Sequence, residues 1–313
     1  MSLAFVFPGQ GSQSVGMLNA LAAHSPVIEA AFAQASAALG HDLWRVVREG
    51  PEKKLNSTVM TQPAMLAAGV AIWRLWRERG GVMPQIMAGH SLGEYTALVC
   101  ADALDFEAAV TLVAARGRCM QEAVPEGSGA MAAIVGLELE PLQQICAHAA
   151  HGEVVACANL NAPGQIVIAG LRAAVGRAME AAKQAGAKRA VLLPVSVPSH
   201  CELMRPAADR FHAVLNKLPL QSPHIRILHN YDVESHDSPS DIVEALRRQL
   251  YSPVRWIETT QKIAASGVRF LIEAGPGRVL SGLCKRIDKT LQCLPVYDPE
   301  TLQAALTATS GGQ

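Results

Sequence analysis

Residues 89–93, GHSLG, match the pattern G-x-S-x-G and offer the clearest chemistry in the chain. The pattern follows a predicted buried strand over 85–90 and begins a predicted helix, the setting that holds a serine hydroxyl in a tight turn. That hydroxyl projects from the carboxyl edge of a parallel sheet, and the N–H groups that begin the helix can stabilise an oxyanion. The segment predicts Ser91 as the nucleophile of an acyl transfer. The alternative is a glycine-rich turn with an incidental serine.

A serine hydroxyl is a weak nucleophile near neutral pH and needs a neighbouring base. Among the ten histidines, His200 stands where the chain returns from a predicted inserted unit to the core, so it is the candidate base. Cys201 is a weaker candidate nucleophile because no elbow surrounds it. His148 and His151 lie near a helix end without a third ligand, so we expect no metal site.

A Ser-His-Asp triad in α/β-hydrolase order would also need an acid between Ser91 and His200. Asp102 and Asp105 lie in that interval, but both are close to Ser91 in sequence, around the start of the next helix. We therefore expect a dyad, in which a neutral main-chain acceptor holds His200.

Residues 105–122 predict an amphipathic helix with Arg116 at the edge of its apolar face. At about 3.6 residues per turn, Phe106 and Val110 share that face, whereas Arg118 lies opposite. Arg118 is expected at the surface, and Arg116 needs an anion. Because a guanidinium can bind a carboxylate through two hydrogen bonds, Arg116 predicts a carboxylate on the acyl group. The alternative is a structural ion pair with an acid of the protein.

Short apolar strands alternate with helices along most of the chain, which favours an α/β fold with a parallel sheet. Between 129 and 194 the order changes to βαββαβ, the ferredoxin-like pattern. We predict a core at 1–127 and 196–313 and an inserted ferredoxin-like subdomain at 128–195. The tail after Asp298 is expected to fray.

The composition limits the classes of function. Half of the 313 residues are hydrophobic, and 27 Lys and Arg balance 27 Asp and Glu. This balance argues against a broad surface for nucleic acid or an anionic membrane. The seven cysteines are scattered, and the first residues lack the long apolar segment of a secretory signal. We therefore expect a cytoplasmic protein with reduced thiols.

Several motifs together resemble the malonyl-CoA:acyl carrier protein transacylase family, over about residues 3 to 297. They occur in the family's order: FPGQGSQ at 7–13, GHSLGEY at 89–95, Ser199-His200, QLYSPVRW at 249–256 and GPG at 275–277. The resemblance implies an α/β-hydrolase-like core with a parallel sheet that carries a ferredoxin-like subdomain, in agreement with the strand and helix pattern.

The resemblance also implies catalytic roles for matching residues. Ser91 would be the acylated nucleophile and His200 its base, and Gln249 would position His200 through its main-chain carbonyl. The backbone N–H groups of Gln10 and Leu92 would form the oxyanion hole.

For the substrate, the resemblance implies that Arg116 binds the malonyl carboxylate. Asn159 and Asn161 match polar positions that line the family's cleft. The implied partners are malonyl-CoA, CoA and acyl carrier protein. No cofactor is implied, because malonyl-CoA is itself a substrate, and we expect a monomer.

The implied activity is malonyl transfer to the phosphopantetheine thiol of acyl carrier protein, through a malonyl-Ser91 intermediate, in fatty acid biosynthesis. Two alternatives use the same residues with another carrier: the malonyl transferase subunit of a malonate decarboxylase, and an acyltransferase of polyketide synthesis. A different class is a serine hydrolase or thioesterase, which shares G-x-S-x-G but needs no carrier.

Overall fold

The computed structural model describes residues 2–195 and 197–310, which form two β-sheets with helices packed against them. The strands are β1 (Leu3–Phe7), β2 (Ile86–Gly89), β3 (Gly129–Val135), β4 (Val155–Ala162), β5 (Gln165–Leu171), β6 (Arg189–Leu192), β7 (Arg226–Leu228), β8 (Phe270–Ala274) and β9 (Gln292–Val296). The helices are α1 (Asn19–Ala22), α2 (Pro26–Leu39), α3 (Leu43–Glu49), α4 (Glu52–Leu55), α5 (Thr58–Glu78), α6 (Gly93–Cys100), α7 (Phe106–Gln121), α8 (Leu139–Ala150), α9 (Arg172–Gln184), α10 (Arg205–Leu215), α11 (Pro239–Gln249), α12 (Trp256–Ala265), α13 (Val279–Ile287) and α14 (Pro299–Ser310).

The larger sheet is parallel, with strand order β7-β2-β1-β8-β9. Its central strand β1 is buried on both faces, since Leu3, Phe5 and Phe7 pack in one hydrophobic core and Ala4 and Val6 in another. Strands covered on both faces are continuously apolar, which explains why β1 has no alternation of polar residues. The predicted α/β fold with a parallel sheet is confirmed.

The smaller sheet is antiparallel, with strand order β4-β5-β3-β6. The chain visits β3, α8, β4, β5, α9 and β6 in turn, and α8 and α9 pack on the sheet through a third hydrophobic core. This order and connectivity are ferredoxin-like, as the sequence pattern predicts. The exact bounds, 128–195 within 1–127 and 196–313, stay a prediction, and residue 196 lies outside the described residues.

The helix predicted over 105–122 is α7, but the C-terminal tail does not fray after Asp298. Instead α14 begins at Pro299, and its Leu302 and Ala305 are buried. The prediction for 299–310 is wrong. The many small residues of this segment make the apolar face of the helix hard to recognise in the sequence. Residues 311–313 of the predicted tail lie outside the described residues.

Parallel pairing brings the candidate site to one edge of the larger sheet. Strands β1, β2 and β7 are neighbours, so their carboxyl ends meet there. Gln10 follows β1, Ser91 follows β2 and Asn230 follows β7. In the described part of the chain, no helix is both long and apolar enough to cross a membrane.

Two glycines allow β2 to turn sharply into α6. A Cβ on Gly89 would lie 1.8 Å from the carbonyl carbon of Gly93, and a Cβ on Gly93 would lie 2.0 Å from the main-chain oxygen of Phe7. Both contacts are with backbone atoms, which cannot rotate away. The turn that carries Ser91 therefore requires glycine at both positions.

We expect Gly93→Ala to destabilise the protein by at least the roughly 1–3 kcal/mol that overpacking costs, because its methyl group overlaps β1. Gly176→Ala is the matched control: Gly176 lies in α9 with open space around its missing Cβ. Alanine there should stabilise the protein by about 0.5–1 kcal/mol through helix propensity. Urea unfolding measures both. A Gly93→Ala variant as stable as the parent would contradict this account of the turn.

Candidate active site

Ser91 and His200 are in direct contact. The Ser91 Oγ lies 2.7 Å from the Nε2 of His200. Both residues have left-handed backbone, with φ of +52° at Ser91 and +63° at His200. Non-glycine residues seldom adopt this conformation, and where they do the surrounding structure has to stabilise it.

The side chain of Asn230 holds the turn at Ser91. Its Oδ1 accepts the N–H of Ser91 at 2.7 Å, and its Nδ2 donates to the Gly89 carbonyl at 2.6 Å. These two bonds stabilise the left-handed serine. Sequence reasoning missed Asn230, although an asparagine two residues after a buried strand of a parallel sheet is a signal that could have found it.

His200 is held by a main-chain carbonyl. Its Nδ1 lies 2.8 Å from the oxygen of Gln249, which can only accept, so Nδ1 carries the proton. The other nitrogen, Nε2, is then free to take the proton of Ser91. Burial lowers the pKa of His200 to about 3, with a further lowering from the positive charge of Arg116. The imidazole is therefore neutral at physiological pH, as a general base must be.

Neither candidate triad acid approaches His200. The carboxylate of Asp105 caps α7 by accepting the N–H of Ala108 at 2.9 Å. The exposed carboxylate of Asp102 lies 3.4 Å from the Nδ1 of His224. The geometry is that of a dyad with a neutral acceptor.

Arg116 points from α7 into the site and is 1% exposed. Its Nη1 donates to Gln62 Oε1 at 3.0 Å, and its Nη2 donates to Gln249 Oε1 at 2.9 Å and to Ser91 Oγ at 3.2 Å. Its Nε is buried without an acceptor. Sequence reasoning also missed Gln62, although a glutamine inside the long apolar stretch that forms α5 is a signal.

The charge of Arg116 is not neutralised by the protein. Among the ion pairs of residues 2–195 and 197–310, none includes Arg116. The structural ion pair that was the alternative is thus not found there. Nε and Nη2 lie on one edge of the guanidinium, and Nη2 already contacts Ser91. The unpaired Nε can therefore donate to a further acceptor beside Ser91. Arg118 is exposed on the opposite side of α7, as predicted.

A cavity of about 100 Å³ contains the Ser91 hydroxyl and is lined by Gln10, Leu92 and Arg116. The backbone N–H groups of Gln10 and Leu92 donate no hydrogen bond to any described residue. They are available to an oxyanion that forms beside Ser91. The apolar part of the lining comes from Met120, Met131, Leu193, Val195 and Val197.

The two asparagines are placed differently. Asn159 lines the cavity, and its Oδ1 is buried without a partner. Asn161 is not part of the lining; its Oδ1 lies 2.8 Å from the Nε2 of His90. His90 lines the cavity and packs at 5.6 Å from the ring of Trp256. Asn161 therefore acts on the cavity wall through His90, without being part of the lining.

The described residues contain no group of three or more His, Cys, Asp or Glu side chains arranged to hold a metal. His148 Nδ1 instead lies 2.7 Å from the main-chain oxygen of Gln144.

Comparison with known proteins agrees with this geometry. The family described as the acyl transferase domain matches residues 4–301. The chain belongs to the acyl transferase family. Members at high identity include the malonyl CoA-acyl carrier protein transacylase of Salmonella typhimurium, 55% identical over 97% of this chain and 98% of that protein. The corresponding protein of Bacillus subtilis is 45% identical over 97% of this chain and 96% of its own length.

Solved acyl transferase structures show the same fold. An acyl carrier protein S-malonyltransferase from Vibrio cholerae superposes with a TM-score of 0.95 at 55% identity, covering 97% of this chain and 99% of that one. A malonyl-transacylase in complex with a type II PKS acyl-carrier protein superposes with a TM-score of 0.97 at 55% identity, covering 98% and 100%.

The pH dependence tests the state of His200. A base with a pKa near 3 is neutral at higher pH, so we expect the acid limb of kcat/KM for acetyl-CoA to lie well below pH 6.5. In the parent enzyme the positive charge of Arg116 lowers the pKa of His200. Arg116→Met removes that charge, so the pKa of His200 should rise and the acid limb should shift to higher pH. Acetyl-CoA is used because it brings no carboxylate to Arg116. An acid limb at pH 6.5 or above in the parent enzyme would contradict this assignment.

Proposed function

We propose that this protein is a malonyl-CoA:acyl carrier protein transacylase of fatty acid biosynthesis. The observation that carries the proposal is the buried guanidinium of Arg116, which has no carboxylate partner among the described residues and lies 3.2 Å from the Ser91 hydroxyl. An acyl group attached to Ser91 and bearing a carboxylate would meet that charge. The printed names of the relatives, malonyl CoA-acyl carrier protein transacylase, support the same substrate.

In the first half-reaction, the Nε2 of His200 accepts the proton of Ser91, and Oγ attacks the thioester carbonyl of malonyl-CoA. The N–H groups of Gln10 and Leu92 donate to the oxyanion of the tetrahedral intermediate. When the intermediate collapses, the C–S bond breaks and the imidazolium returns its proton to the CoA thiolate. The product is a malonyl ester on Ser91.

In the second half-reaction, His200 takes the proton of the phosphopantetheine thiol of acyl carrier protein. The thiolate attacks the malonyl ester, the bond to Ser91 Oγ breaks, and His200 returns the proton to the serine. One base serves both steps because Nδ1 keeps its proton throughout and donates it to the Gln249 carbonyl oxygen. The resting enzyme is restored after each transfer.

Malonyl selection follows from the cost of a buried charge. The carboxylate accepts from the Nε–Nη2 edge of Arg116, whereas an acetyl group leaves the buried Nε without an acceptor. Sites built around a polar partner can reject an analogue that lacks it by about 10⁴–10⁵-fold. Arg116 therefore decides which acyl-CoA is transferred.

We also propose that the enzyme acts as a monomer in the cytoplasm. All seven cysteines are free thiols, which fits a reducing compartment. Ser91, His200 and Arg116 come from one chain, so the site does not need a second copy. Size-exclusion chromatography with light scattering tests the monomer.

Replacement of Arg116 by alanine should lower malonyl transfer by at least about 100-fold and acetyl transfer little, because only the malonyl group uses the charge. Arg118→Ala is the matched control, since Arg118 is exposed two residues further along α7. Rates of CoA release from malonyl-CoA and acetyl-CoA measure both. Equal losses with the two substrates would remove Arg116 from malonyl recognition.

Intact mass spectrometry tests the covalent step. After incubation with malonyl-CoA, the parent enzyme should gain one malonyl group, and Ser91→Ala should gain none. Addition of acyl carrier protein should move the group to the carrier. Release of free malonate at the same rate with and without carrier would identify a hydrolase instead.

A further inference from the structure

Glu94 is a buried carboxylate behind the nucleophile that the mechanism above does not use. It is the second residue of α6, three positions after Ser91, and is 0% exposed. A charged carboxylate is costly to bury unless several donors satisfy it. The donors that contact Glu94 therefore indicate its role in the site.

Three N–H donors converge on Glu94. His229 Nδ1 lies 2.8 Å from its Oε1, and its Oε2 accepts the main-chain N–H of Asn230 at 2.9 Å and Nε2 of Gln249 at 3.0 Å. Each of these residues belongs to the site or lies beside it. Glu94 is the acceptor that they share.

The bond from Gln249 fixes the direction of its side-chain amide. The Nε2 of Gln249 donates to both Glu94 Oε2 and the main-chain oxygen of Ser91, the latter at 2.9 Å. With its donor end held by two acceptors, the amide must turn its Oε1 outward, and that oxygen accepts Nη2 of Arg116 at 2.9 Å. A reversed amide would direct N–H groups at the guanidinium.

We propose that Glu94 is a positioning residue for malonyl selection, which holds Arg116 in place by orienting the Gln249 amide. This inference rests on the proposed malonyl transfer, because it concerns how that site chooses its acyl group.

Glu94 has a second connection, through Asn230, to the turn at Ser91. Asn230 gives its main-chain N–H to Glu94 and its side chain to Ser91 and Gly89. Loss of Glu94 should therefore slow transfer of any acyl group to some extent. Through Gln249, Glu94 acts on Arg116 directly, whereas through Asn230 it acts on Ser91, which every acyl group uses. The ratio of malonyl to acetyl transfer therefore isolates the proposed role.

The test compares Glu94→Gln with Glu273→Gln in the full chain. Glutamine keeps the shape of the side chain but removes the charge and one acceptor oxygen. Glu273 is the matched control: it is also 0% exposed, and it accepts the N–H groups of Leu280 and Ser281 at the start of α13. Both variants remove the charge of a buried carboxylate. Only Glu94 is connected to Arg116 by hydrogen bonds, through Gln249.

We expect Glu94→Gln to lower the ratio of kcat/KM for malonyl-CoA to that for acetyl-CoA by about 10- to 100-fold, the range for a hydrogen bond to a charged group. Glu273→Gln should lower the thermal midpoint and leave the ratio unchanged. In an Arg116→Ala background, Glu94→Gln should lower malonyl transfer no more than acetyl transfer, because the residue it acts through is absent.

An unchanged ratio in a folded Glu94→Gln variant, with normal malonyl transfer by the parent enzyme, would overturn the inference and leave the function intact. A parent enzyme that forms no malonyl ester would overturn the function instead. If Glu94→Gln does not fold, the Gln249→Met variant tests the inference instead. Methionine removes the side-chain amide that holds Arg116 and keeps the main-chain carbonyl that holds His200. A ratio lowered as in Arg116→Ala supports the inference, and a parental ratio contradicts it.

Discussion

The buried positive charge of Arg116 is the constraint on which the site is built. A guanidinium with 1% exposure normally pairs with a carboxylate, but here it donates to two glutamine oxygens and to the nucleophile. Neutral acceptors hold the side chain without cancelling its charge. The charge thus stays available to a substrate carboxylate, and it also helps to keep His200 neutral by lowering its pKa. Substrate choice and base catalysis depend on the same cation.

The fold supplies these groups from separate elements. The parallel sheet brings the loops after β1, β2 and β7 to one edge, and the glycines at 89 and 93 let α6 pack close enough to β1 for Ser91 to enter the cavity. Helices α5, α7 and α11 then carry Gln62, Arg116 and Gln249 to the same place. The strain at Ser91 is countered by two hydrogen bonds of the Asn230 side chain, one with Ser91 and one with Gly89.

The sequence was sufficient to predict the residues of this site that belong to a recognisable local pattern. The elbow around Ser91 has a recognisable spacing, and helical periodicity separated Arg116 from Arg118. The supporting residues Gln62, Asn230 and Glu94 are single polar side chains whose partners are distant in the chain, so spacing could not predict their contacts. Asn161 was expected to line the cleft, but it lies behind the lining residue His90, a contact that spacing alone could not predict. The helix α14 was missed because the many small residues of this segment hide its apolar face.

The most direct test of the central claim is a crystal structure of the malonyl-Ser91 intermediate, trapped by brief exposure of crystals to malonyl-CoA. The account predicts that the malonyl carboxylate accepts hydrogen bonds from the Nε and Nη2 of Arg116, while the ester oxygen faces the N–H groups of Gln10 and Leu92. A carboxylate that points to solvent, with Arg116 still bound only to its two glutamines, would contradict it.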